Sequence, residues 1–290
     1  MVEPTFQDNV EAIEAWNTVL FDKFLQFRDA LTTGLARHGD AALERHPPAL
    51  GARVIDLGCG FGDTTQQIAR LVGPEGVAVG VDAAPRFIEL GRREAEAAGI
   101  PNARFLVADV QSDDLGGPYD QAFARMGTMF FASPVMAMRN VRKAMRPGGL
   151  LSMVVWRAKK ENAFMSDVEN KVLELIPHHD KGDQVTCGPG PFSMASPDLV
   201  SAQLLAAGWE RIGFERFDAD MRIAADLDEA IAFAMTLGPA GEILRLAGDE
   251  GAKKRDQVVA ALRELLAPAV RPDGVYGGSS SWIVTARAPA

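Results

Sequence analysis

Arg53-Val54-Ile55-Asp56-Leu57-Gly58-Cys59-Gly60-Phe61-Gly62-Asp63-Thr64-Thr65 decides how the chain is read. Val54 to Leu57 is a short apolar run that predicts a buried strand, ended by a glycine-rich turn. Beyond the turn, Ile68, Leu71 and Val72 recur at helical spacing. Strand, glycine turn and helix N-terminus make the nucleotide-cradling corner of an open α/β sheet. Glycines let a ligand approach the backbone N–H groups with no Cβ in the way. A dinucleotide fingerprint reads G-x-G-x-x-G and aims the helix N-terminus at pyrophosphate. Here the pattern is Gly58-x-Gly60-x-Gly62, and Asp63 holds the place of the third fingerprint glycine. Carboxylates at Asp56 and Asp63 would repel a pyrophosphate and favour a ligand that carries positive charge.

Outward from this corner, strand-like and helix-like segments alternate as far as Trp156. Val77–Val81 predicts a second strand ending at Asp82, and Pro85 opens a helix that Gly99 closes. Arg104–Ala108 predicts a third strand ending at Asp109, and Tyr119–Ala124 a fourth. A helix over about 134–145 and a turn at Pro147-Gly148-Gly149 lead into a fifth, Leu150–Trp156. This alternation predicts a parallel sheet with right-handed crossovers, whose ligands sit beyond the C-terminal ends of the strands. Asp82 stands about twenty residues past the glycine turn, where a carboxylate accepts hydrogen bonds from both ribose hydroxyls of an adenosine.

Before the corner, Val10, Ile13, Trp16, Leu20, Phe24, Phe27 and Leu31 recur at spacings of three and four, predicting helix from residue 5 to about 38. Trp16 and Phe24 read equally as packing residues or as a lid over a ligand. After Trp156, the sequence predicts a helix over Glu161–Ile176, a polar loop over His178–Pro191 and a helix capped by Ser196-Pro197-Asp198. Residues 210–223 predict a sixth strand, Asp228–Leu237 and Lys253–Leu266 two helices, and Ser281–Ala286 a last strand. The helical stretch between these final strands exceeds a simple connection and reads as an inserted substrate cap. The expected division is a lid over 1–48, a nucleotide-binding core over 49–157, and completion of the sheet with cap insertions over 158–290.

The 290 residues are 47% hydrophobic and 24% charged, which is a soluble globular composition. A formal net charge of −9 argues against the basic surface that nucleic-acid binding needs. No apolar run approaches the roughly 18–20 residues of a membrane span. Met1-Val2-Glu3-Pro4 lacks the basic-then-apolar order of a signal peptide. The expectation is a cytoplasmic protein with neither nucleic acid nor membrane as partner. Two cysteines, Cys59 and Cys187, cannot build a disulfide framework, and no cysteine pair or histidine cluster points to a metal.

Asp56-Leu57-Gly58-Cys59-Gly60-Phe61-Gly62 closely resembles motif I of the class I S-adenosylmethionine (SAM) dependent methyltransferases. The resemblance covers roughly residues 50–156, through Arg125-Met126-Gly127-Thr128, Phe130-Phe131-Ala132-Ser133-Pro134 and Met145-Arg146-Pro147-Gly148-Gly149-Leu150. In motif style it is similar to bacterial methyltransferases of the ubiquinone/menaquinone-biosynthesis type. It implies a Rossmann-like, seven-stranded, mostly parallel sheet with strand seven antiparallel. It implies SAM as cofactor and S-adenosylhomocysteine as product, with Asp56, Gly58, Gly60, Gly62, Asp63 and Thr64 around the methionine end. Asp82 and Ala83 would serve the ribose, Asp109 and Val110 the adenine, and Arg125 and Met126 would face the emerging methyl. The Asn-Pro-Pro-Tyr signature of amino-group DNA and protein methyltransferases is absent after strand four.

A sulfonium methyl is already electrophilic, so such a protein chiefly aligns a nucleophile and excludes water, with a base needed only for a protonated acceptor. His178 and His179 are the candidate bases, against a plain surface loop; His38 and His46 read as merely polar. Trp16, Phe24, Met129, Phe130, Trp156 and Phe192 are candidate walls for an acceptor, each otherwise ordinary core. The expected function is methyl transfer to a small, partly apolar acceptor. A SAM-binding sensor or inactive pseudo-methyltransferase is the alternative. An NAD-type oxidoreductase would need a glycine at position 63 and a catalytic Tyr/Lys or His partner. The acceptor atom and the oligomeric state, a homodimer included, are left open.

Overall fold

Val54, Ile55, Asp56 and Leu57 are all buried in β1 (Arg53–Leu57), as an apolar run must be at the centre of a sheet covered on both faces. The computed structural model describes residues 9–176 and 190–290. β1 pairs in parallel with β2 (Val77–Asp82) on one side and β4 (Tyr119–Arg125) on the other. β2 carries β3 (Ala103–Val107), and β4 carries β5 (Met145–Trp156), again in parallel. The chain thus runs outward from β1 to β3, then returns to the other side of β1. The crevice between the ends of β1 and β4 is the topological switch point.

Two long strands close the far side. β6 (Glu210–Ala224) and β8 (Gly274–Arg287) pair antiparallel along almost their full length, and β8 also runs antiparallel to β5. The sheet order is β3-β2-β1-β4-β5-β8-β6, mostly parallel, with an antiparallel strand inserted as expected. Among the described residues the strand count is eight rather than seven. Asp273-Gly274 turns Val270–Arg271 back onto β8 as β7, a two-residue pairing too short to leave an alternating pattern in sequence. β5 also starts earlier than expected: Met145 pairs with Tyr119, and the Arg146-Pro147-Gly148-Gly149 run forms an irregularity in the ladder instead of a free turn.

The N-terminal helical segment comprises α1 (Val10–Ala15), a π-helical turn (Trp16–Leu20), α2 (Phe21–Gln26) and α3 (Arg28–Arg45). α4 (Asp63–Val72) follows the glycine loop and α5 (Pro85–Ala97) follows β2, each turning its apolar positions inward. α6 (Pro134–Lys143), α7 (Ala163–Leu175) and α8 (Pro197–Ala206) follow β4 and β5. Three helices fill the connection after β6: α9 (Leu227–Thr236), α10 (Pro239–Leu246) and α11 (Gly248–Leu266). They pack on one another and on α7. Ile55, Leu57, Ile68 and Phe123 lie in the central core with no exposed surface. Burial of each such side chain contributes about 1.5–3 kcal/mol.

Candidate active site

The C-terminal ends of β1, β2, β3 and β4 open on one cavity at the switch point, with the N-terminal helices across it. The centres of water-sized molecules can range over about 190 Å³ of this space. That is far more than the roughly 10–15 Å³ one water needs.

The glycine loop shapes one side. Gly60 has φ +52°, and a Cβ there would meet no atom within 4 Å, so the residue faces open space in a conformation that favours glycine. Its N–H donates to Asp82 Oδ2 at 3.1 Å, while Asp82 Oδ1 accepts from the Ala84 N–H at 3.0 Å. Cys59 N–H donates to Val81 O at 3.0 Å, so the end of β2 holds the loop by backbone and side chain together. Burial raises the Asp82 pKa, and the N–H groups of Ala84, Gly60 and Ala83 oppose that rise.

At the end of β3, Asp109 Oδ1 accepts from Gln111 N–H at 2.9 Å, and Oδ2 from Asn9 Nδ2 at 3.3 Å. The N-terminal segment thereby reaches across the cavity to a strand end a hundred residues away. At the end of β4, Arg125 donates through Nη2 to Asp63 Oδ2 at 2.7 Å. Met126, next in sequence, is left-handed at φ +63°, which costs a non-glycine residue roughly 1–2 kcal/mol. Its N–H is held by Val154 O at 2.9 Å.

The N-terminal helices are anchored on α5. Asn17 Oδ1 accepts from Arg86 N–H at 3.0 Å, and the Arg86 guanidinium pairs with Asp22 at 2.8 Å. Phe21, Phe61, Phe87 and Ala84 form a small core of their own beneath them. Trp16 stands edge-on to Phe24 at 5.1 Å and to Phe130 at 5.2 Å, closing an apolar lobe.

Most of the residues singled out by sequence meet here. Gly58, Gly60, Asp63, Asp82 and Ala83 line the cavity, as do Asp109, Val110, Arg125 and Met126. Trp16, Phe24 and Phe130 line its apolar lobe. Six candidates do not. Asp56 is 1% exposed and accepts from Thr65 Oγ1 at 2.7 Å, so it ties β1 to α4. Gly62 packs α4 onto β3, since a Cβ there would sit 2.8 Å from Phe105 Cζ. Thr64 is buried in the same turn. Met129 Sδ accepts from the Trp156 N–H at 3.3 Å, and Trp156 packs edge-on against His38. Phe192 packs on the core under Lys159. For these last three, apolar character marks core.

The electrostatic expectation also changes. Burial pushes the Asp56 carboxyl up to about 7, against the Thr65 bond and the field of Arg125. Asp63 is neutralised by Arg125. Asp82 and Asp109 are the other carboxylates on the cavity wall. Burial raises the Cys59 thiol well above its ordinary range, which makes it a packing residue.

His178 and His179 lie outside the described residues. His38, expected to be merely polar, is wholly buried between α3 and β8. Its Nε2 meets Ser279 Oγ at 2.7 Å and its Nδ1 meets Ser281 Oγ at 2.8 Å. Ser279 donates its own hydroxyl to Ala219 O, so it must accept from Nε2–H, and Nδ1 then accepts from Ser281. The ring is neutral, with its pKa lowered to about 4 by burial and by the Arg37 charge. Ser279-Ser280-Ser281, three successive buried hydroxyls in β8, is the sequence signal of such a partner.

Sequence reasoning missed Asn9, Leu31, Thr32, Leu35 and Phe131 on the wall. Nothing local distinguishes them from other helix and loop residues. No described residue beyond Phe131 lines the cavity; α10 and α11 pack on α7, and α9 packs on β6. Among the described residues no group of three or more His, Cys, Asp or Glu could hold a metal ion. No described helix is long and apolar enough to cross a membrane.

Comparison with known proteins adds independent findings. A family model described as a methyltransferase domain matches residues 50–203. Trans-aconitate 2-methyltransferase of Deinococcus radiodurans is 30% identical over 140 residues, 48% of this chain and 49% of that protein. The chain thus spans about half the length of that relative. Demethylmenaquinone methyltransferase of Thermus thermophilus is 32% identical over 179 residues, 59% of this chain and 78% of that protein. A putative methyltransferase from Bacillus halodurans shares the fold, with a TM-score of 0.55 and 16% identity over 88% of this chain and 99% of that one.

Proposed function

The chain belongs to the class I SAM-dependent methyltransferases through the methyltransferase domain matched over residues 50–203, and on that premise we propose that it moves a methyl group from SAM to a small, partly apolar acceptor. The observation that carries the reading is the convergence of Gly60, Asp82 and Asp109 on one cavity at the switch point. The fit is supported by open space where a Gly60 Cβ would stand, with a carboxylate beside it and a second one at the next strand end.

Gly58 and Gly60 would hold the methionine end, Asp82 and Ala83 the ribose, and Asp109 with the Val110 N–H the adenine. When bound, SAM supplies an electrophilic methyl on a sulfonium. The chain's own residues then have two tasks. Trp16, Phe24 and Phe130 exclude water from the apolar lobe and seat the acceptor there, which favours direct displacement over hydrolysis. Asp82 fixes the Gly60 backbone, so the loop is organised before any ligand arrives.

Residues 1–48 act as a lid, 49–157 as the cofactor-binding core, and 158–290 complete and brace the sheet. The similarity to trans-aconitate and demethylmenaquinone methyltransferases supports an acceptor of metabolite size. The test is incubation with methyl-labelled SAM and a panel of O, N, S and C nucleophiles, read by mass spectrometry. Labelled product together with S-adenosylhomocysteine is expected. SAM binding with no turnover across the panel would favour a sensor instead.

A further inference from the structure

We infer that Arg125 selects an acceptor that enters the cavity as an oxyanion on an apolar body, a carboxylate or an ionised enol or phenol, and that the methyl goes to that oxygen. This deepens the methyltransferase reading and rests on it.

Among the described residues Arg125 is the single cation on the cavity wall; the other charged groups there are Asp63, Asp82 and Asp109. Its side chain is 11% exposed, and its stem lies against α3 at Gly39, where an added Cβ would stand 3.0 Å from Arg125 Cδ. The guanidinium is therefore fixed where β4 ends. Asp63 takes Nη2 of the guanidinium in a monodentate contact, and the fork has further N–H donors to offer an oxyanion. Asp63 is in the first turn of α4, where the helix dipole also supports its charge. Asp56 on β1 and Arg28 on α3 complete the nearby charges, the first lying in the field of Arg125 and the second in that of Asp63. Leu31, Leu35, Phe130 and Phe131 line the same cavity and suit an apolar body.

Among the described residues the same wall offers no free base, since Asp63 is paired with Arg125. It carries no His, Lys or Tyr among the described residues, and the Cys59 thiol is held protonated. Asp82 and Asp109 each already accept a backbone N–H. Among the described residues an acceptor with a proton to lose finds nothing free to take it, whereas one that arrives ionised needs nothing. The acceptor oxygen supplies the electron pair of the new O–CH₃ bond. The pair of the broken S–CH₃ bond stays on sulfur, leaving a neutral thioether, and no proton moves. Sulfonium and oxyanion become two neutral groups. The neutral product no longer pairs as an anion with the guanidinium, which favours its release.

The experiment is calorimetric titration of the full chain, saturated with S-adenosylhomocysteine, with 1-naphthoate and its neutral isostere 1-naphthamide. We expect naphthoate to bind about tenfold or more tighter than the amide, the range of a charge-assisted hydrogen bond, and R125M to erase that preference. R125K keeps the charge but not the fork, and should retain part of it. Both variants should still bind S-adenosylhomocysteine, and circular dichroism with urea unfolding reports separately that they fold. Equal binding of the two probes, binding of neither, or a preference that survives R125M overturns the inference. So does loss of S-adenosylhomocysteine affinity in folded R125M, because Arg125 would then serve the cofactor. Failure of the native chain to bind S-adenosylhomocysteine would instead overturn the underlying methyltransferase reading.

Discussion

Replacing Gly60 by alanine separates what the glycine loop does for the fold from what it does for a ligand. At φ +52° an alanine pays backbone strain of roughly 1–2 kcal/mol, and no steric term is added because its Cβ meets no atom within 4 Å. The methyl projects into the cavity beside the Gly60–Asp82 hydrogen bond. S-adenosylhomocysteine should therefore bind about 1–3 kcal/mol more weakly, the cost of overfilling a fitted contact. Gly62→Ala is the converse. Its Cβ would stand 2.8 Å from Phe105 Cζ at φ +78°, so strain and overpacking add to about 2–5 kcal/mol of lost stability. Urea unfolding gives the stabilities and calorimetry the affinities. Gly60→Ala with native affinity, or Gly62→Ala as stable as Gly60→Ala, would refute this division of labour.

Two further outcomes follow from the buried groups. Because His38 has its pKa lowered from 6.5 to about 4, the folded state resists the proton that the unfolded chain accepts. Its contribution to stability is present near pH 7 and is lost as pH falls through 6.5 towards 4, by about 3 kcal/mol. Asp56, raised to about 7, works in the opposite sense over the same interval. The stability difference between the native chain and His38→Leu, measured by urea unfolding at pH 7 and pH 4, isolates the histidine; a constant difference would contradict its neutral, buried assignment. Asp82→Ala should weaken S-adenosylhomocysteine binding by about 1–3 kcal/mol through lost hydrogen bonds. Native affinity in the folded variant would remove Asp82 from the site.

The sequence carried the inner half of this architecture well. β1 to β4 and the acids that end β2 and β3 are visible because a parallel sheet buries continuous apolar runs, and a carboxylate closing such a run is conspicuous. What it could not convey depends on distant partners. The role of His38 requires Ser279 and Ser281, more than 240 residues away. Asp56 and Asp63 look alike within one motif, yet one points into the core at Thr65 and the other meets Arg125 across the cavity. Met129, Trp156 and Phe192 have the composition of a pocket wall, but apolar side chains fill cores and cavities equally well, and only the packing decides. β7 and α10 followed turn geometry and tertiary contacts that periodicity does not record.

The most direct test of the account is calorimetric titration of the purified chain with SAM, S-adenosylhomocysteine and NAD in turn. The account predicts saturable binding of the first two at the cavity bounded by Gly60, Asp82 and Asp109, and none of NAD. Binding of NAD alone would contradict it, since a pyrophosphate would then be accommodated beside the carboxylates that define the site.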